Sequence, residues 1–489
     1  MQEHKIYIDG QWVKSESGRT FLSLDPATER PIGKFQQGNE NDVKKAIDAA
    51  EDAYHKWSEI PAPKRGEVLL KVAELLKKEK QRLGKLVATE MGKVMPEALG
   101  DVQEAIDVFE YMAGEGRRLY GHTTPSELKD KFAMTIRMPL GVVGLITPWN
   151  FPIAIPSWKL APALICGNGI VLKPSSDTPL CAIELVKILE KAGIPKGVVN
   201  LVTGPGDTAG KELIKNDKVR GISFTGNKDT GEWILKEAGL KKVGLELGGK
   251  NAIIIMPDAD LNLALEGALW GGFGTTGQRC TAASRVIIDR SVQKIFERNF
   301  VDRARRLKLG AGYDKKSDVG PLINKYALEK THKYTLFGLA EGAKLLTGGR
   351  RFGSKGFFYE PTIFTDVSVN MRIAKEEIFG PTVSLIPVNG LDEAIEAVNS
   401  VEYGLSSSIY TNNIRNAFKA IEKIETGITY VNASTIGAEV HLPFGGMRHT
   451  GNGTREAGIE GINEFSETKT VYIDYSGRLQ KAQIDVVKD

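Results

Sequence analysis

With 489 residues, 41% hydrophobic and 26% charged, the chain has the composition of a globular protein long enough for two or three domains. A formal net charge of +4 over that length is too weak to imply nucleic acid, and no window approaches the roughly 18 apolar residues of a membrane span. The N-terminal MQEHKIYIDGQW lacks a leader pattern, and Cys166, Cys181 and Cys280 form neither a disulfide framework nor a metal spacing, so the expectations are a reducing cytoplasm and no metal.

Residues 5–35 predict short strands and turns, with KIYIDGQWV alternating around Asp9 and Gly10. From Asn39 to about Arg118 the pattern is helical, opening on polar capping residues and repeating apolar positions every three to four residues. Its many Lys and Glu residues are solvated faces, and Arg117 and Arg118 lie either exposed at a helix end or facing an anionic substrate. Residues 119–138 interrupt with polar HTTPSELKDKF and alternating FAMTIRM, a strand whose edge needs cover, and KTVYIDYS (469–476) is a second isolated strand.

From Pro139 to about Leu247 the apolar runs GVVGLITP, GNGIVLKP, GVVNLVTG, VRGISFTG and VGLELGG alternate with helical segments, as in a doubly wound parallel sheet. Each run ends in Gly or Pro, which places loops and any ligand at the carboxyl edge. No G-x-G-x-x-G is present; Gly204-Pro205-Gly206 with Gly210, and Gly226–Gly231 ahead of a helix, are the turns that can cradle a pyrophosphate. A second α/β block runs from about Gly248 to Gly446 and contains GGFGTTGQRCTAA (271–283).

That stretch sets Cys280 among small residues that leave room for a substrate; it is either a small buried cysteine or a nucleophile, with Arg279 beside it to favour the thiolate. Glu246, in an apolar run ending in two glycines, is a strand-end charge or a desolvated base. Asn150, between two aromatics and two prolines, caps a turn or donates to an oxyanion.

PWNFP (148–152), LKPS (172–175), FTGNKDTG (224–231), LELGGKN (245–251), FGTTGQRC (273–280), KEEIFGP (375–381) and PFGG (443–446) together resemble the aldehyde dehydrogenase superfamily, over nearly the whole chain. The resemblance implies two doubly wound α/β domains, cofactor-binding (1–118 and 139–247) and catalytic (248–446). It adds a small β oligomerisation domain (119–138 and 467–489) that builds a homodimer or dimer of dimers. It makes Cys280 the nucleophile, Asn150 an oxyanion donor and Glu246 the base that hydrolyses a thioester, which argues against acyl transfer to coenzyme A and against a catalytically silent relative.

For a nicotinamide cofactor it assigns Thr147, Pro148, Trp149, Lys173, Ser175, Ser176, Gly206, Gly210, Phe224, Thr225, Gly226, Asn227, Leu247, Glu377 and Phe379. Ser176 stands where relatives often carry an acidic residue that repels a 2′-phosphate, so NADP is expected ahead of NAD; Asn227 stands where they commonly have Ser. The substrate funnel is expected to involve Phe151, Ile155, Trp158, Arg279, Thr281 and residues 434–444, ending in Phe444. Arg279 is either a structural residue or an anchor for the carboxylate of 2-oxoglutarate or succinic semialdehyde; glyceraldehyde and aliphatic aldehydes are the alternative substrates.

Overall fold

Apolar runs that end in Gly or Pro form the strands of the first large sheet in a computed structural model that describes residues 1–485. Lys242–Glu246, Val219–Thr225, Val142–Ile146, Gly169–Lys173 and Val199–Leu201 lie parallel in that spatial order. The connections after Val142–Ile146 and Val219–Thr225 depart in opposite directions, which makes the gap between these two strands the switch point where such sheets bind ligands. The Asp9 and Gly10 turn, both residues left-handed, folds Ile6–Ile8 onto Gln11–Val13. This hairpin adds to the far edge of the same sheet, a docking that its own sequence does not specify.

Among the helices of this half are α1 (Glu40–Glu59), α2 (Ala62–Glu90), α3 (Met95–Glu115) and α4 (Ala154–Cys166). Asn39 and Asp42 close α1 with a reciprocal capping box. Helix α4 is buried almost throughout, with Lys159 as its single charge, and α3 packs against both α2 and α4. A second seven-stranded sheet runs Lys344–Thr347, Thr362–Thr365, Thr382–Val388, Ala283–Asp289, Asn251–Ile255, Ser406–Tyr410, Ile428–Val431, parallel except for its first strand.

The two isolated strands of the sequence pair with each other. Lys131–Pro139 lies antiparallel to Ser466–Asp474 along its whole length, and Thr123–Pro125 completes a separate sheet that exposes Phe132, Ile136, Met138, Tyr472 and Ile473. Of the tail assigned to oligomerisation, residues 486–489 lie outside the described residues. No helix among the described residues is long and apolar enough to cross a membrane.

Candidate active site

The helix Leu261–Phe273 ends in a turn in which Thr275 (φ 50°), Thr276 (φ 59°) and Gly277 (φ 68°) are left-handed in succession. Side chains at the first two cost energy there, so the turn persists only because its surroundings hold it. Thr275 donates through its backbone N–H (2.8 Å) and hydroxyl (3.0 Å) to Glu97, and the Thr276 hydroxyl donates to the Gly320 carbonyl (3.0 Å). Gln278 accepts from the Ile323 N–H (2.9 Å) and donates to the Pro321 carbonyl (3.2 Å). A β-carbon at Gly277 would stand 2.2 Å from the Gly380 carbonyl oxygen, so only glycine fits. The turn delivers Cys280 to a fixed place, and Asn251 holds the Cys280 carbonyl at 2.6 Å.

Asn150, buried at the end of the strand Val142–Ile146 and its loop, donates to the Gln278 carbonyl at 3.1 Å. Its amide therefore lies beside the cysteine turn. Glu246 ends the strand Lys242–Glu246 and is buried, with no hydrogen-bond partner for either carboxylate oxygen among the described residues. Burial first, and the neighbouring Glu456 second, raise its pKa well above the usual carboxylate range. A β-carbon at Gly445 would come within 2.6 Å of a Glu246 oxygen, which explains a glycine in the PFGG motif.

A cavity of about 890 Å³ opens at the switch point of the first sheet. Its wall carries Cys280, Asn150 and all fifteen residues assigned above to the cofactor, from Thr147 to Phe379. The buried hydroxyls of Thr147 and Thr225 on this wall have no hydrogen-bond partner among the described residues, which suits a polar ligand. Phe379, itself left-handed (φ 60°), meets Trp149 edge to face at 5.4 Å, and Glu377 accepts from the Gly249 N–H at 3.0 Å. The Asn227 side chain caps the helix Lys228–Glu237 through the Thr230 N–H (2.9 Å), so its amide oxygen is already engaged.

The sequence profile of the aldehyde dehydrogenase family matches residues 12–471. The chain belongs to the aldehyde dehydrogenase family. It is 42% identical to the alpha-ketoglutarate semialdehyde dehydrogenase of Haloferax volcanii, over 96% of this chain and 99% of that one. It is 41% identical to the 2,5-dioxopentanoate dehydrogenase of Saccharolobus solfataricus, over 94% and 98% respectively. The crystal structure of betaine aldehyde dehydrogenase from Staphylococcus aureus in complex with NAD+ superposes with a TM-score of 0.95 at 35% identity, covering 97% of this chain and 95% of that one. The protein is an oxidoreductase that acts on an aldehyde, in the fold of this family.

In this aldehyde dehydrogenase the residues assigned to the substrate divide. Ile155 lies on the cavity wall, whereas Phe151, Trp158, Arg279, Thr281 and Phe444 lie off it. Trp158 meets Phe444 edge to face at 5.3 Å, and the Thr281 carbonyl accepts from the Thr435 hydroxyl at 2.7 Å. The Arg279 guanidinium is sandwiched between Phe151 (5.1 Å) and Trp270 (4.9 Å), donates to the Thr275 hydroxyl (2.8 Å) and faces Glu97 at 3.9 Å.

Arg279 does act in favour of a thiolate, as expected, but it is outweighed. Burial, followed by the charges of Glu246 and Glu377, pushes the Cys280 thiol up to about 12, and the opposing pull of Arg279 is the smallest influence.

Sequence pattern missed a buried group behind Glu246. Lys159 is ion-paired to Glu456 and donates to the Ser223 hydroxyl at 2.8 Å, and burial, then Glu456, raises Glu464 to about 7. A lone lysine in the apolar run Ile153–Cys166 was the available signal. Asp177, Asn324 and Lys330 on the cavity wall were also missed, because single polar residues in loops and helix starts carry no pattern.

With the thiol held neutral, alkylation of Cys280 by iodoacetamide in the free enzyme is expected to accelerate continuously from pH 7 to 10. A plateau below pH 8 in the measured rate would show a thiolate already present at rest.

Proposed function

We propose that this enzyme oxidises a semialdehyde with a distal carboxylate, of the 2-oxoglutarate type, to the acid through a thioester on Cys280. Cys280 and Asn150 together on the cavity wall, with the buried Glu246 near enough for its charge to act on the Cys280 thiol, carry the reading. Glu246 takes the Cys280 proton as sulfur adds to the aldehyde carbon, which reconciles a neutral resting thiol with nucleophilic attack. The Asn150 amide and the Cys280 backbone N–H stabilise the oxyanion, a contribution on the order of 10²–10³ in kcat for one such donor. A bound nicotinamide supplies the hydride acceptor. After releasing the thiol proton to solvent, Glu246 takes a proton from the water that hydrolyses the thioester and returns it to the departing Cys280 sulfur.

NADP is the preferred cofactor in this reading. The Ser176 hydroxyl on the cavity wall donates to the Gly204 carbonyl (3.1 Å), and a β-carbon at Gly210 would touch the Lys173 stem at 3.7 Å. Asp177, next in the chain, is engaged with Asn324 (3.1 Å) and Ser175 (3.4 Å). A carboxylate in place of Ser176 would repel a 2′-phosphate by an amount on the order of a few kcal/mol in a partly desolvated site.

The two seven-stranded sheets and the separate sheet of Thr123–Pro125, Lys131–Pro139 and Ser466–Asp474 support a division into cofactor-binding (1–118 and 139–247), catalytic (248–446) and oligomerisation (119–138 and 467–489) parts. The apolar exposure of the small sheet supports a homo-oligomer, dimer or tetramer, and three free cysteines suit the cytoplasm.

The semialdehyde reading draws on the similarity to the semialdehyde enzymes and on Arg279 beside the nucleophile. The engagement of Arg279 with Glu97 and two aromatic rings favours the second reading, a fixed arginine and uncharged aldehydes.

Four measurements check these assignments. Glu246→Gln is expected to slow both the pre-steady-state release of reduced cofactor and steady turnover, because one base serves acylation and hydrolysis; unimpaired steady turnover would remove Glu246 as that base. In the parent enzyme the hydrolytic step should gain rate as pH rises through the elevated Glu246 pKa, since the base works ionised. Ser176→Glu should lower the NADP-to-NAD ratio of kcat/KM by about tenfold or more, equivalent to about 1.4 kcal/mol per decade, and a parent preference for NAD would overturn the assignment. Across 2-oxoglutarate semialdehyde, succinic semialdehyde, glyceraldehyde and an aliphatic aldehyde, Arg279→Ala should raise KM selectively for the semialdehydes; equal effects on all four would leave Arg279 structural.

A further inference from the structure

We propose that Glu97 and Asp101, one turn apart on α3, are positioning residues that together set the spacing between the cysteine turn and the Asn150 loop. The inference rests on reading Cys280 as nucleophile and Asn150 as oxyanion donor.

Residues four apart on a helix share a face and differ by about 6 Å along the axis. Each of these two carboxylates grips a different loop. Glu97 receives the Thr275 N–H on both oxygens (2.8 and 3.0 Å) and the Thr275 hydroxyl (3.0 Å), and it faces Arg279, the residue before the nucleophile. Thr275 is the first left-handed residue of the turn, so this grip holds the strained backbone at its origin. Asp101 receives the N–H groups of Ile153 (3.3 Å) and Ala154 (2.7 Å) where α4 begins, three and four residues after Asn150. A carboxylate at a helix N-terminus is favoured by the exposed N–H groups.

The other Asp101 oxygen holds Lys93 (3.0 Å), whose ammonium sits 3.5 Å from the ring centre of Phe151, the immediate neighbour of Asn150. All three side chains are buried. The loops meet where Asn150 donates to the Gln278 carbonyl. Glu97 and Asp101 do not line the cofactor cavity, so they act through the loops they hold.

A misplacement near 1 Å costs on the order of 10²-fold when a reaction depends on positioned groups. Addition to a carbonyl needs the amide placed against the developing oxyanion; alkylation of the same thiol by iodoacetamide does not. The two reactions separate positioning from collapse of the loop.

The experiment compares Glu97→Gln, Asp101→Asn and the double variant in the intact enzyme. It follows aldehyde kcat, cofactor KM, melting temperature and the Cys280 alkylation rate. Each single variant is expected to lose tenfold or more in kcat, with cofactor KM and alkylation within about twofold of the parent. The double variant should be no worse than the weaker single by more than about twofold, because both carboxylates define one distance.

Parent-like kcat in the single variants overturns the proposal, as do losses that multiply or a parallel fall in kcat, alkylation and melting temperature. Should Asp101→Asn fail to fold because Lys93 loses its partner, Lys93→Met with Asp101→Asn removes both charges and keeps an acceptor for α4. Cys280→Ser and Asn150→Ala are assayed alongside. Turnover surviving in those would overturn the reading of the site itself, whereas their loss beside parent-like Glu97 and Asp101 variants would overturn the spacing proposal alone.

Discussion

The carbonyl of Gly380 leaves no space for a side chain at residue 277, and that backbone contact joins two distant parts of the second half of the chain. On one side stands the turn that carries Cys280, on the other the segment that brings Glu377 and Phe379 to the cavity wall. Neither loop can shift without the other, because the contact is between main chains and no flexible side chain can absorb a displacement. The left-handed Thr275 and Thr276 are tolerated because Glu97 and the adjacent carbonyls of Gly320 and Pro321 hold the turn. Cysteine, cofactor wall and the first helical block are thereby referenced to one rigid point.

Electrostatics in the site follow from burial more than from pairing. Glu246 is buried without gaining a hydrogen bond among the described residues, which favours the neutral acid. Its charge in turn disfavours a thiolate at Cys280, so the two groups are not independent and their titrations belong to the pair. Lys159 is the compensating cation, held between Glu456 and Ser223 on a helix otherwise apolar. Removing it would leave the buried Glu456 without its ion-pair partner, a costlier change than loss of a surface pair.

The first sheet uses the geometry expected of an open α/β layer. Its cavity lies where strand connections diverge, and unpartnered Thr147 and Thr225 hydroxyls mark the ends of the two strands that bound it. The absence of a G-x-G-x-x-G motif does not prevent this, since a switch point depends on strand order and not on one glycine pattern. The cap at Asn227 shows how a side chain can serve helix and cavity wall together.

Strand and helix periodicity in the sequence determined the alternating α/β blocks, and the motifs around Asn150, Glu246 and Cys280 determined the family, because both signals are local and repeat at fixed spacing. The glycines at 277 and 445 were visible as residues, but their necessity arises from Gly380 and Glu246, partners about a hundred and two hundred residues away. Tertiary structure alone decided that residues 131–139 pair with 466–474 and that the N-terminal hairpin closes the first sheet, because strand pairing between remote segments leaves no periodic trace. It also decided the state of Cys280. The sequence shows Arg279 as a neighbour that favours a thiolate, whereas folding removes the water that would have solvated the charge, and desolvation outweighs one adjacent cation.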